Sequence, residues 1–535
     1  MLCDVDRFYG IEYEEFPAQI AQVALWLIDH QMNMLISQEF GEYFVRLPLR
    51  KSAKIIHGNA LRTDWDSIIE LLPWEGKTDR EKFDYIIGNP PFIGAMMMNE
   101  QQREDIKVVS NNMKNHGVLD YVTAWYIKSA QYAQKVNFED VDEYKTRVGF
   151  VSTNSVSQGE QVGILWNEMF NRYKIKIHFA HRTFKWNNEA KGNAAVHVVI
   201  IGFSNFDISE KSIFEYEDLK GLPHELKVKN INPYLVEGKD FFITNQSEPI
   251  CNVPKMSFGS MPRDGGHLIF TEEEKNDFLI KEPNSEKWIR PYTGAQEFIN
   301  GYVRYCLWLD EITPEELRKM PEVLKRVEKV REFRLESKAE STRKFALTPT
   351  LFCQIAQPDS DYLLIPRVSS ERRKYIPIGY VNQITIANDQ VLTVPNTTLF
   401  HFGILISEMH MTWVKYVCGR LKSDYRYSKD IVYNNFPWPE NPTDKQKESI
   451  EKAAQKVLDV RAQFPESSLA DLYDPLTMPP ALVKAHQELD KAVDLAYRPQ
   501  PFINETKRIE YLFELYDKYT AGLFAKEKKK KKSVG

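Results

Sequence analysis

The stretch Phe83-Asp84-Tyr85-Ile86-Ile87-Gly88-Asn89-Pro90-Pro91-Phe92 predicts a strand that ends at two prolines. Its first part is an apolar run of the length and composition of a strand, and the two prolines stop that strand because proline cannot continue a ladder of backbone hydrogen bonds. In a parallel α/β sheet, such a strand ends at the carboxyl edge, where binding sites form. We therefore predict a sheet whose functional edge begins at Asn89.

Similar apolar segments recur on both sides of this strand and alternate with helical patterns. The predicted strands are residues 7–12, 53–57, 83–88, 147–152, 175–180 and 197–203, and the clearest helices are residues 16–32 and 118–134. Apolar runs of this kind are typical of strands that are covered on both faces. The alternation predicts an α/β fold with a Rossmann-like parallel sheet over residues 1–205.

The rest of the chain is predicted to form three further regions and a tail. Residues 206–287 are polar and proline-containing without a sustained period, which indicates a linker or a loop-rich insertion. Strand-like segments at 362–368 and 375–381 alternate with helical patterns at 313–344 and 402–421, which predicts a mixed α/β domain over residues 288–440. Helices at 443–463, 480–497 and 505–524 predict a helical region over 441–525, and the lysine-rich residues 526–535 predict a disordered tail.

Composition narrows the class of protein without identifying it. The net charge of −5 gives no overall argument for nucleic acid, so a DNA-binding face has to come from local clusters of cations. No apolar run approaches the roughly 20 residues of a membrane helix, so no membrane partner is expected. The five cysteines, Cys3, Cys251, Cys306, Cys353 and Cys418, lack metal-site spacing. We therefore expect no metal and a reducing cytoplasm.

The Asn-Pro-Pro-Phe sequence has a specific chemical use at a sheet edge. An exocyclic amine on a nucleobase is a poor nucleophile, and acceptors that hold its hydrogens free it for attack. The side-chain oxygen of Asn89 and the carbonyl of Pro90 can both point at one amino group. Phe92 offers a flat face on which an extruded base can stack. The alternative is a strand-ending turn whose prolines only stop the chain.

The segment from Gly88 to Phe92 resembles the catalytic motif of amino-group DNA methyltransferases, and its surroundings resemble the MmeI-like (Type IIL) restriction-modification branch. The matching segments follow the family's order and are residues 8–12 with the helix 18–33, 56–61, 119–126, 149–155, and 181–184 before 195–198. The resemblance covers most of the chain. It implies a DNA adenine-N6 methyltransferase that uses S-adenosylmethionine and binds double-stranded DNA, with residues 1–205 as the catalytic domain and 288–440 as the target-recognition domain.

The resemblance implies roles for individual residues. Catalysis is assigned to Asn89, Pro90, Pro91 and Phe92, and the cofactor is assigned to Glu12, Asn59 and Asp120. Glu12 ends a strand and is placed to accept hydrogen bonds from ribose hydroxyls. Asn59 matches the position that binds the cofactor's adenine, where many relatives carry Asp. Alternatives are a surface acid at Glu12 and a helix-starting acid at Asp120.

Further residues are assigned to the base and to DNA. Phe184 matches the aromatic that faces Phe92 across the flipped base, although a core phenylalanine is the plainer reading. A basic cluster with hydroxyl side chains lies at 367–375 on a predicted strand-turn-strand, and a second, basic and aromatic patch lies at 420–429. The predicted DNA-binding residues are Arg367, Ser369, Ser370, Arg372, Arg373, Lys374 and Arg426. A solvated charged face is the alternative.

One departure from the family leaves rival hypotheses open. Family members carry a strand and a Gly-rich turn for the cofactor before the Glu12 strand, and here nine residues precede Gly10. We therefore expect a truncated frame, a misplaced start, or a fragment that needs an upstream methyltransferase or nuclease portion. Rivals to adenine methylation are an inactive DNA-binding subunit, N4-cytosine methylation, and methylation of protein or RNA.

Overall fold

The computed structural model describes residues 5–41, 53–69, 82–111, 113–134, 145–186, 196–216, 221–421 and 423–532. The chain divides into two compact units, residues 1–156 with 163–231, and residues 157–162 with 232–535. Cys3 and residues 533–535 of the predicted tail lie outside the described residues.

The first unit is built on a six-stranded sheet with the order β3-β4-β6-β5-β7-β8. Strands β3 and β4 are parallel, and β6 is antiparallel to both β4 and β5, so β3, β4 and β5 share one direction. Their carboxyl ends therefore lie along one edge. The elements in chain order are β1 (Tyr9–Glu12), α1 (Glu15–Phe40), β2 (Lys54–His57), α2 (Trp65–Ile69), β3 (Tyr85–Gly88), α3 (Glu100–Ser110), α4 (Thr123–Gln134), β4 (Arg147–Thr153), α5 (Glu160–Asn167), β5 (Lys176–Trp186), β6 (Val196–Ser204), β7 (Lys211–Glu215) and β8 (His224–Val228).

An aromatic cluster holds the centre of this sheet to helix α4. The ring of Tyr126 stacks on Phe203 at 5.3 Å and meets Phe150 edge-on at 5.3 Å. Its hydroxyl lies 2.6 Å from the Ser152 hydroxyl, so the polar end of this fully buried ring is paired. Each such ring contributes roughly 1.5–3 kcal/mol by burial. The cluster fixes β4 and β6, and β4 in turn carries β3.

Strands β1 and β2 form a separate parallel pair in which Glu12 lies opposite His57. Among the described residues, no ladder of hydrogen bonds joins this pair to β3. One face of β3 carries exposed apolar side chains, with Tyr85 66% and Ile87 84% exposed. Helix α1 also exposes an apolar side, at Phe16, Ile20, Val23, Leu27 and Leu35. Parallel strands are normally covered on both faces, so these surfaces are unusual.

The second unit combines small sheets with a helical carboxyl-terminal part. The strand orders are β10-β12-β11-β16, β15-β13-β17-β9 and β14-β19-β18. The elements are β9 (Ser257–Phe258), β10 (Ile269–Phe270), α6 (Glu272–Lys281), β11 (Ile289–Thr293), α7 (Ala295–Asn300), β12 (Arg304–Leu307), α8 (Pro314–Arg318), α9 (Pro321–Leu335), α10 (Glu340–Lys344), β13 (Tyr362–Pro366), β14 (Val368–Ser369), β15 (Gly379–Val381), β16 (Ile386–Ala387), β17 (Val391–Pro395), α11 (Leu399–Leu405), α12 (Glu408–Val417), β18 (Gly419–Leu421), β19 (Asp424–Arg426), α13 (Asp444–Ala462), α14 (Leu469–Leu472), α15 (Pro480–Tyr497) and α16 (Glu505–Lys532).

Glycine and a buried arginine hold this unit together at two points. A Cβ atom on Gly403 in α11 would lie 2.8 Å from the Ile450 side chain, so only glycine lets α11 approach α13 this closely. Arg334 in α9 is fully buried, and its guanidinium donates to five backbone carbonyls, those of Pro262, Arg263, Phe345, Thr348 and Leu351. One side chain thereby ties two loops to a helix.

Two predicted helices are wrong as single elements. The pattern at 313–344 is divided into α8, α9 and α10, because Pro321 cannot continue α8 and instead starts α9. The pattern at 402–421 is divided into α11, α12 and β18, because Ser407 caps a new helix by accepting a hydrogen bond from the His410 amide. Apolar periodicity continued through both breaks and concealed them.

Two predicted boundaries also need correction. Residues 206–287 are not one linker, since β7 and β8 extend the first sheet and α6 is a regular helix of the second unit. Helix α16 runs through the lysine-rich segment to Lys532, where a disordered tail was expected, because lysine is a good helix former and extending an existing helix needs no new nucleus. In the described part of the chain, no helix combines the length and apolarity of a membrane span.

Candidate active site and recognition residues

The end of β3 presents the Asn-Pro-Pro-Phe segment at the carboxyl edge of the sheet. Gly88 lies against Phe150 of β4, where a Cβ atom would be 3.4 Å from the ring. Beyond it, Asn89 is exposed, Pro90 is buried, Pro91 is exposed and Phe92 is half-buried. Within the described residues, the Asn89 side chain makes no hydrogen bond. The acceptor oxygen of Asn89 is therefore available to a ligand. The backbone on either side of Asn89 is held by the packing of Gly88 and Pro90.

Asp120 holds the loop that follows Phe92. One carboxylate oxygen accepts a hydrogen bond from the Ala95 amide at 2.8 Å, and the other accepts from the Ser155 hydroxyl at 2.6 Å. The Tyr121 amide donates to the Ile93 carbonyl at 2.9 Å. Ser155 follows β4, so Asp120 joins the ends of two adjacent strands. The geometry gives Asp120 a positioning role in this loop, and its proposed contact with the cofactor or the base remains a prediction.

Asn59 follows β2 and is already engaged by the protein. Its side-chain oxygen accepts from the Leu61 amide at 2.9 Å, and its amide group donates to Asp105 at 3.0 Å. Asp105 is buried in α3 and also accepts from Arg62 at 2.6 Å and from the Tyr121 hydroxyl at 2.7 Å. Burial and this carboxylate raise the pKa of Tyr121, which keeps its hydroxyl a donor. We call Asn59, Arg62, Asp105 and Tyr121 the Asp105 network.

Lys128 reinforces the same loop from α4. Its ammonium group donates to the carbonyls of Ala60 and Leu61 at 2.8 Å each and to that of Thr63 at 2.5 Å. Sequence reasoning missed both Lys128 and Asp105. Asp105 lies in the charged run Glu100–Ser110, where it is indistinguishable from its exposed neighbours, and the only signal for Lys128 is a cation on an otherwise apolar helix face.

Glu12 ends β1 with its carboxylate half-buried. It accepts a weak hydrogen bond from the Tyr13 amide at 3.2 Å. Its backbone carbonyl accepts from the Gly58 amide at 2.8 Å, which holds the turn after β2 beside it. A carboxylate with spare acceptor capacity at a strand end suits hydrogen bonding to ribose hydroxyls.

Phe184 lies near the end of β5, at the same sheet edge as Asn89. A β-bulge between His181 and Phe184 shifts the register there, and bulges redirect side chains. The Phe184 ring stacks on Tyr216 at 4.9 Å, and within the described residues Phe92 is not among its ring neighbours. Three strand spacings separate β3 from β5, roughly 14 Å. The structure therefore brings Phe184 to the predicted edge without contact to Phe92.

Some of the predicted DNA-binding residues are tied into the second unit. Arg367 donates to the Asp389 carbonyl at 2.7 Å and lies over the Phe258 ring at 4.9 Å. Burial, with Arg426 close by, lowers the pKa of Arg367. Ser369 is buried in β14 opposite Tyr425, and its hydroxyl has no hydrogen-bond partner in the described part of the chain. Arg367 and Ser369 therefore stabilise the structure around β14 more than they contribute to its solvent-exposed surface.

The other members of the cluster differ in exposure. Arg372 and Arg426 are exposed, and neither side chain has an ion-pair partner among the described residues. Ser370 and Arg373 are half-buried, and burial lowers the pKa of Arg373. Lys374 lies 3.9 Å from Glu408 and lines a cavity of about 540 Å³. Arg372 and Arg426 are thus the cations most available to a phosphate or a base edge.

The first unit defines a class of protein. Its sheet order, its parallel strand ends and its Asn-Pro-Pro-Phe edge are those of a Rossmann-like methyltransferase domain, joined here to a second unit of mixed sheets and carboxyl-terminal helices. Family models for MmeI match the chain in the same order. The DNA-methyltransferase domain matches residues 2–215, the target recognition domain residues 237–440 and the C-terminal domain residues 442–524.

Two relatives establish the family. The solved structure of the Type IIL restriction-modification enzyme MmeI in complex with DNA superimposes with a TM-score of 0.82 at 50% identity, over 97% of this chain and 67% of that one. DNA methyltransferase A of Bacillus subtilis (strain 168) is 40% identical over 518 residues, which is 96% of this chain and 56% of the relative. The chain thus spans little more than half of that relative's length. It belongs to the MmeI family of Type IIL restriction-modification enzymes, which confirms the resemblance and the fold class inferred from the sequence.

Proposed function

We propose that the chain transfers a methyl group from S-adenosylmethionine to the N6 atom of adenine in a fixed duplex DNA sequence, as part of a restriction-modification or phage-defence system. The observation that carries this proposal is the exposed Asn89 side chain, without a partner among the described residues, at the end of a strand fixed by its packing. The solved structure of MmeI in complex with DNA supports DNA as the partner, and double-stranded DNA is part of the proposal. A reducing cytoplasm remains the expected location.

The proposed chemistry uses two acceptors on one loop. The Asn89 side-chain oxygen and the Pro90 carbonyl accept hydrogen bonds from the two hydrogens of the amino group, which localises the nitrogen lone pair toward the methyl donor. The new N6–carbon bond would replace the sulfur–carbon bond of the cofactor, which would leave as a neutral thioether, and the nitrogen would release one proton to water. Phe92 stacks on the base after it leaves the duplex. Because the amine and the methyl group need only alignment, positioning accounts for most of the rate gain. Asp120 supports this alignment by holding the loop through the Ala95 amide.

The residues present fit the adenosine half of the cofactor better than its methionine half. When bound, S-adenosylmethionine supplies an electrophilic methyl group on a sulfonium. Glu12 has acceptor capacity for ribose hydroxyls, whereas the Asn59 side chain is engaged by Asp105 and Leu61 and can contribute only its second amide hydrogen. No Gly-rich turn lies beside these residues in the described part of the chain.

DNA recognition is proposed for the second unit, with the cations Arg372, Lys374 and Arg426 at its surface. Arginine can form bidentate hydrogen bonds with the major-groove edge of guanine, and lysine binds phosphate as a point charge. Arg367, Ser369, Ser370 and Arg373 are proposed to support this surface. We keep as proposals a catalytic domain over residues 1–205 and a recognition domain over residues 288–440. Because β7 and β8 belong to the first sheet, the end of the catalytic domain is moved beyond residue 205 to include them.

Long-read modification mapping tests the proposal directly. The chain is expressed in a host without DNA methylation, and genomic DNA is mapped for methyladenine and methylcytosine, with an Asn89→Ala strain as the control. Methyladenine at one position of a fixed motif, absent in the control, is the expected result. Methylcytosine without methyladenine would replace the adenine assignment by N4-cytosine. Modification of protein or RNA with unmodified DNA would contradict the proposal.

A second candidate is a DNA-binding subunit that binds the cofactor only with additional polypeptide. The observation that favours it is the uncovered apolar surface of the first unit, where Ile87 is 84% and Phe16 71% exposed. Helices packed on this face of β3 and on α1 would bury these side chains, as parallel sheets require. The partner in this proposal is a methyltransferase or nuclease portion encoded upstream.

Cofactor titration separates the two candidates. S-adenosylmethionine binding is measured by calorimetry for the purified chain, and again after co-expression with the part of DNA methyltransferase A that the match does not cover. Micromolar binding by the chain alone contradicts the second candidate. Binding that requires the added polypeptide supports it, and an Ile87→Asp variant should then lose both binding and association. Absence of binding in both samples contradicts both candidates.

A further inference from the structure

Two adjacent methionines stand in water close to the candidate active site. The loop after Phe92 contains a single 3₁₀ turn, Ala95–Met97, which we call the tip. Met96 is 89% exposed and Met97 81% exposed. No other adjacent pair of large apolar side chains exceeds 80% exposure in the described part of the chain. Single exposed apolar residues are ordinary, but a neighbouring pair beside a functional edge points to a contact.

The tip is held rigidly on both sides. Before it, the Ala95 amide donates to Asp120 at 2.8 Å, and the Met97 amide donates to the Gly94 carbonyl at 2.9 Å. After it, Met98 is buried, and Asn99 caps α3 through reciprocal hydrogen bonds with Gln102. The exposure of Met96 and Met97 is therefore a property of a fixed loop. Their side chains cannot reach the core without breaking these contacts.

We propose that the tip enters the duplex beside the target adenine and fills the stacking space that the flipped base vacates. This inference rests on the proposed function and assigns a positioning role to residues outside the Asn-Pro-Pro-Phe segment. Apolar wedges, methionine among them, separate base steps in other DNA-bound proteins, and an unbranched thioether adapts to an irregular gap. Asp120 then has a second task, because the carboxylate that orders the catalytic loop also supports the wedge.

The role predicts that the effect of the tip depends on whether the target base is paired. A wedge offsets the free energy of extruding a paired base, and that cost is smallest for an unpaired one. Removing the wedge should therefore slow methylation of a paired adenine and leave an adenine opposite an abasic site almost unaffected. A merely structural role of the tip would slow both substrates equally.

The test compares Met96→Ala/Met97→Ala with the wild-type chain, after the modified sequence has been mapped. A matched control is Ile503→Ala, at an equally exposed apolar side chain of the second unit, 88% in water. Single-turnover methylation is measured on duplexes with paired and abasic-opposed targets. Flipping is measured separately by the fluorescence of 2-aminopurine at the target position.

The double variant is expected to lose about tenfold to a hundredfold in rate on the paired target and to stay within about threefold on the abasic one. Its 2-aminopurine signal should fall on the paired duplex, and Met96→Leu/Met97→Leu should restore both readouts. Unchanged methylation of the paired target, or an equal loss on both targets, overturns the inference, and the tip is then a surface for a protein partner or part of the scaffold. If the wild-type chain modifies no DNA, that result contradicts the proposed function and not the inference about the tip.

Discussion

Two asparagines follow two strand ends of the first unit, and the protein treats them differently. Asn59, after β2, uses both ends of its amide in hydrogen bonds to Leu61 and Asp105. Asn89, after β3, has an exposed side chain without a hydrogen bond in the described part of the chain. The same residue type serves as a structural tie at one strand end and as an available acceptor at the other.

This contrast separates the residues that stabilise the first unit from those that are available to a ligand. A buried polar group that loses its partner costs about 1–3 kcal/mol, so the Asp105 network is part of what holds the fold. An exposed acceptor is satisfied by water and adds little to stability, so stability gives no reason for an asparagine at position 89. Substitutions at the two ends should therefore affect different measurements.

The largest expected effect is on activity at Asn89. Replacing Asn89 by Ala removes one of the two proposed acceptors of the amino group, so the methylation rate should fall about a hundredfold to a thousandfold. The free energy of unfolding should change by less than about 0.5 kcal/mol, because the side chain makes no described contact. Rates are measured on the mapped DNA sequence, and stability by urea unfolding.

An exposed asparagine elsewhere provides the control for this variant. Asn284 is exposed and makes no hydrogen bond in the described residues, so Asn284→Ala should alter neither rate nor stability. A methylation rate within tenfold of wild type in Asn89→Ala would remove the distinction between the two asparagines. A large loss of stability in that variant would show that Asn89 is a structural tie as well.

The next effect is on stability at Asp105. Asp105→Ala leaves the donors of Asn59, Arg62 and Tyr121 without their shared acceptor, so the unfolding free energy should fall by about 2–4 kcal/mol. Its neighbour Glu104 is exposed, and among the described residues its side chain pairs only with Lys107 on the same helix. Glu104→Ala should therefore cost less than about 0.5 kcal/mol. Equal losses in the two variants, measured by urea unfolding, would contradict the network.

Lys128 extends the comparison to the backbone of the loop. Lys128→Met removes charged donors from three carbonyls while keeping the apolar stem, and we expect a loss of about 1.5–3 kcal/mol. Lys107→Met is the matched control, since Lys107 is exposed and pairs with Glu104 alone among the described residues. If hydrogen exchange at residues 60–63 were unchanged in Lys128→Met, the ammonium group would not be holding that loop.

The sequence predicted the elements that carry their own local signal. The strand before Asn89 was expected at 83–88 and is observed at Tyr85–Gly88, because an apolar run bounded by Asn-Pro-Pro leaves few alternatives. The helix expected at 480–497 is observed as Pro480–Tyr497, with proline at its first position. Phe184 was expected to face Phe92 across a flipped base; β3 and β5 share one direction, which puts both residues toward the same sheet edge, and the pairing across a base stays a prediction.

The sequence could not predict features that depend on tertiary contacts. Asp105 gains its importance from Asn59, which lies 46 positions away along the chain. Strand β8 was missed because it is short and most of its side chains are exposed, so Leu226 and Val228 are its only apolar signal. Ser369 and Arg367 were grouped with exposed cations because sequence composition does not distinguish a buried strand position from a surface one.

The smallest expected effect is that of Asn59→Ala, which tests whether Asn59 is a structural tie or a cofactor ligand. Asn59→Ala removes the cap on the Leu61 amide and one donor to Asp105, while Arg62 and Tyr121 still satisfy that carboxylate, so stability should fall by only about 1 kcal/mol. Because the wild-type side chain is already engaged, affinity for S-adenosylmethionine should weaken less than tenfold in calorimetric titration. A larger loss of affinity at unchanged stability would mean that Asn59 releases its protein partners when the cofactor binds, and the contrast with Asn89 would then hold for the unliganded protein alone.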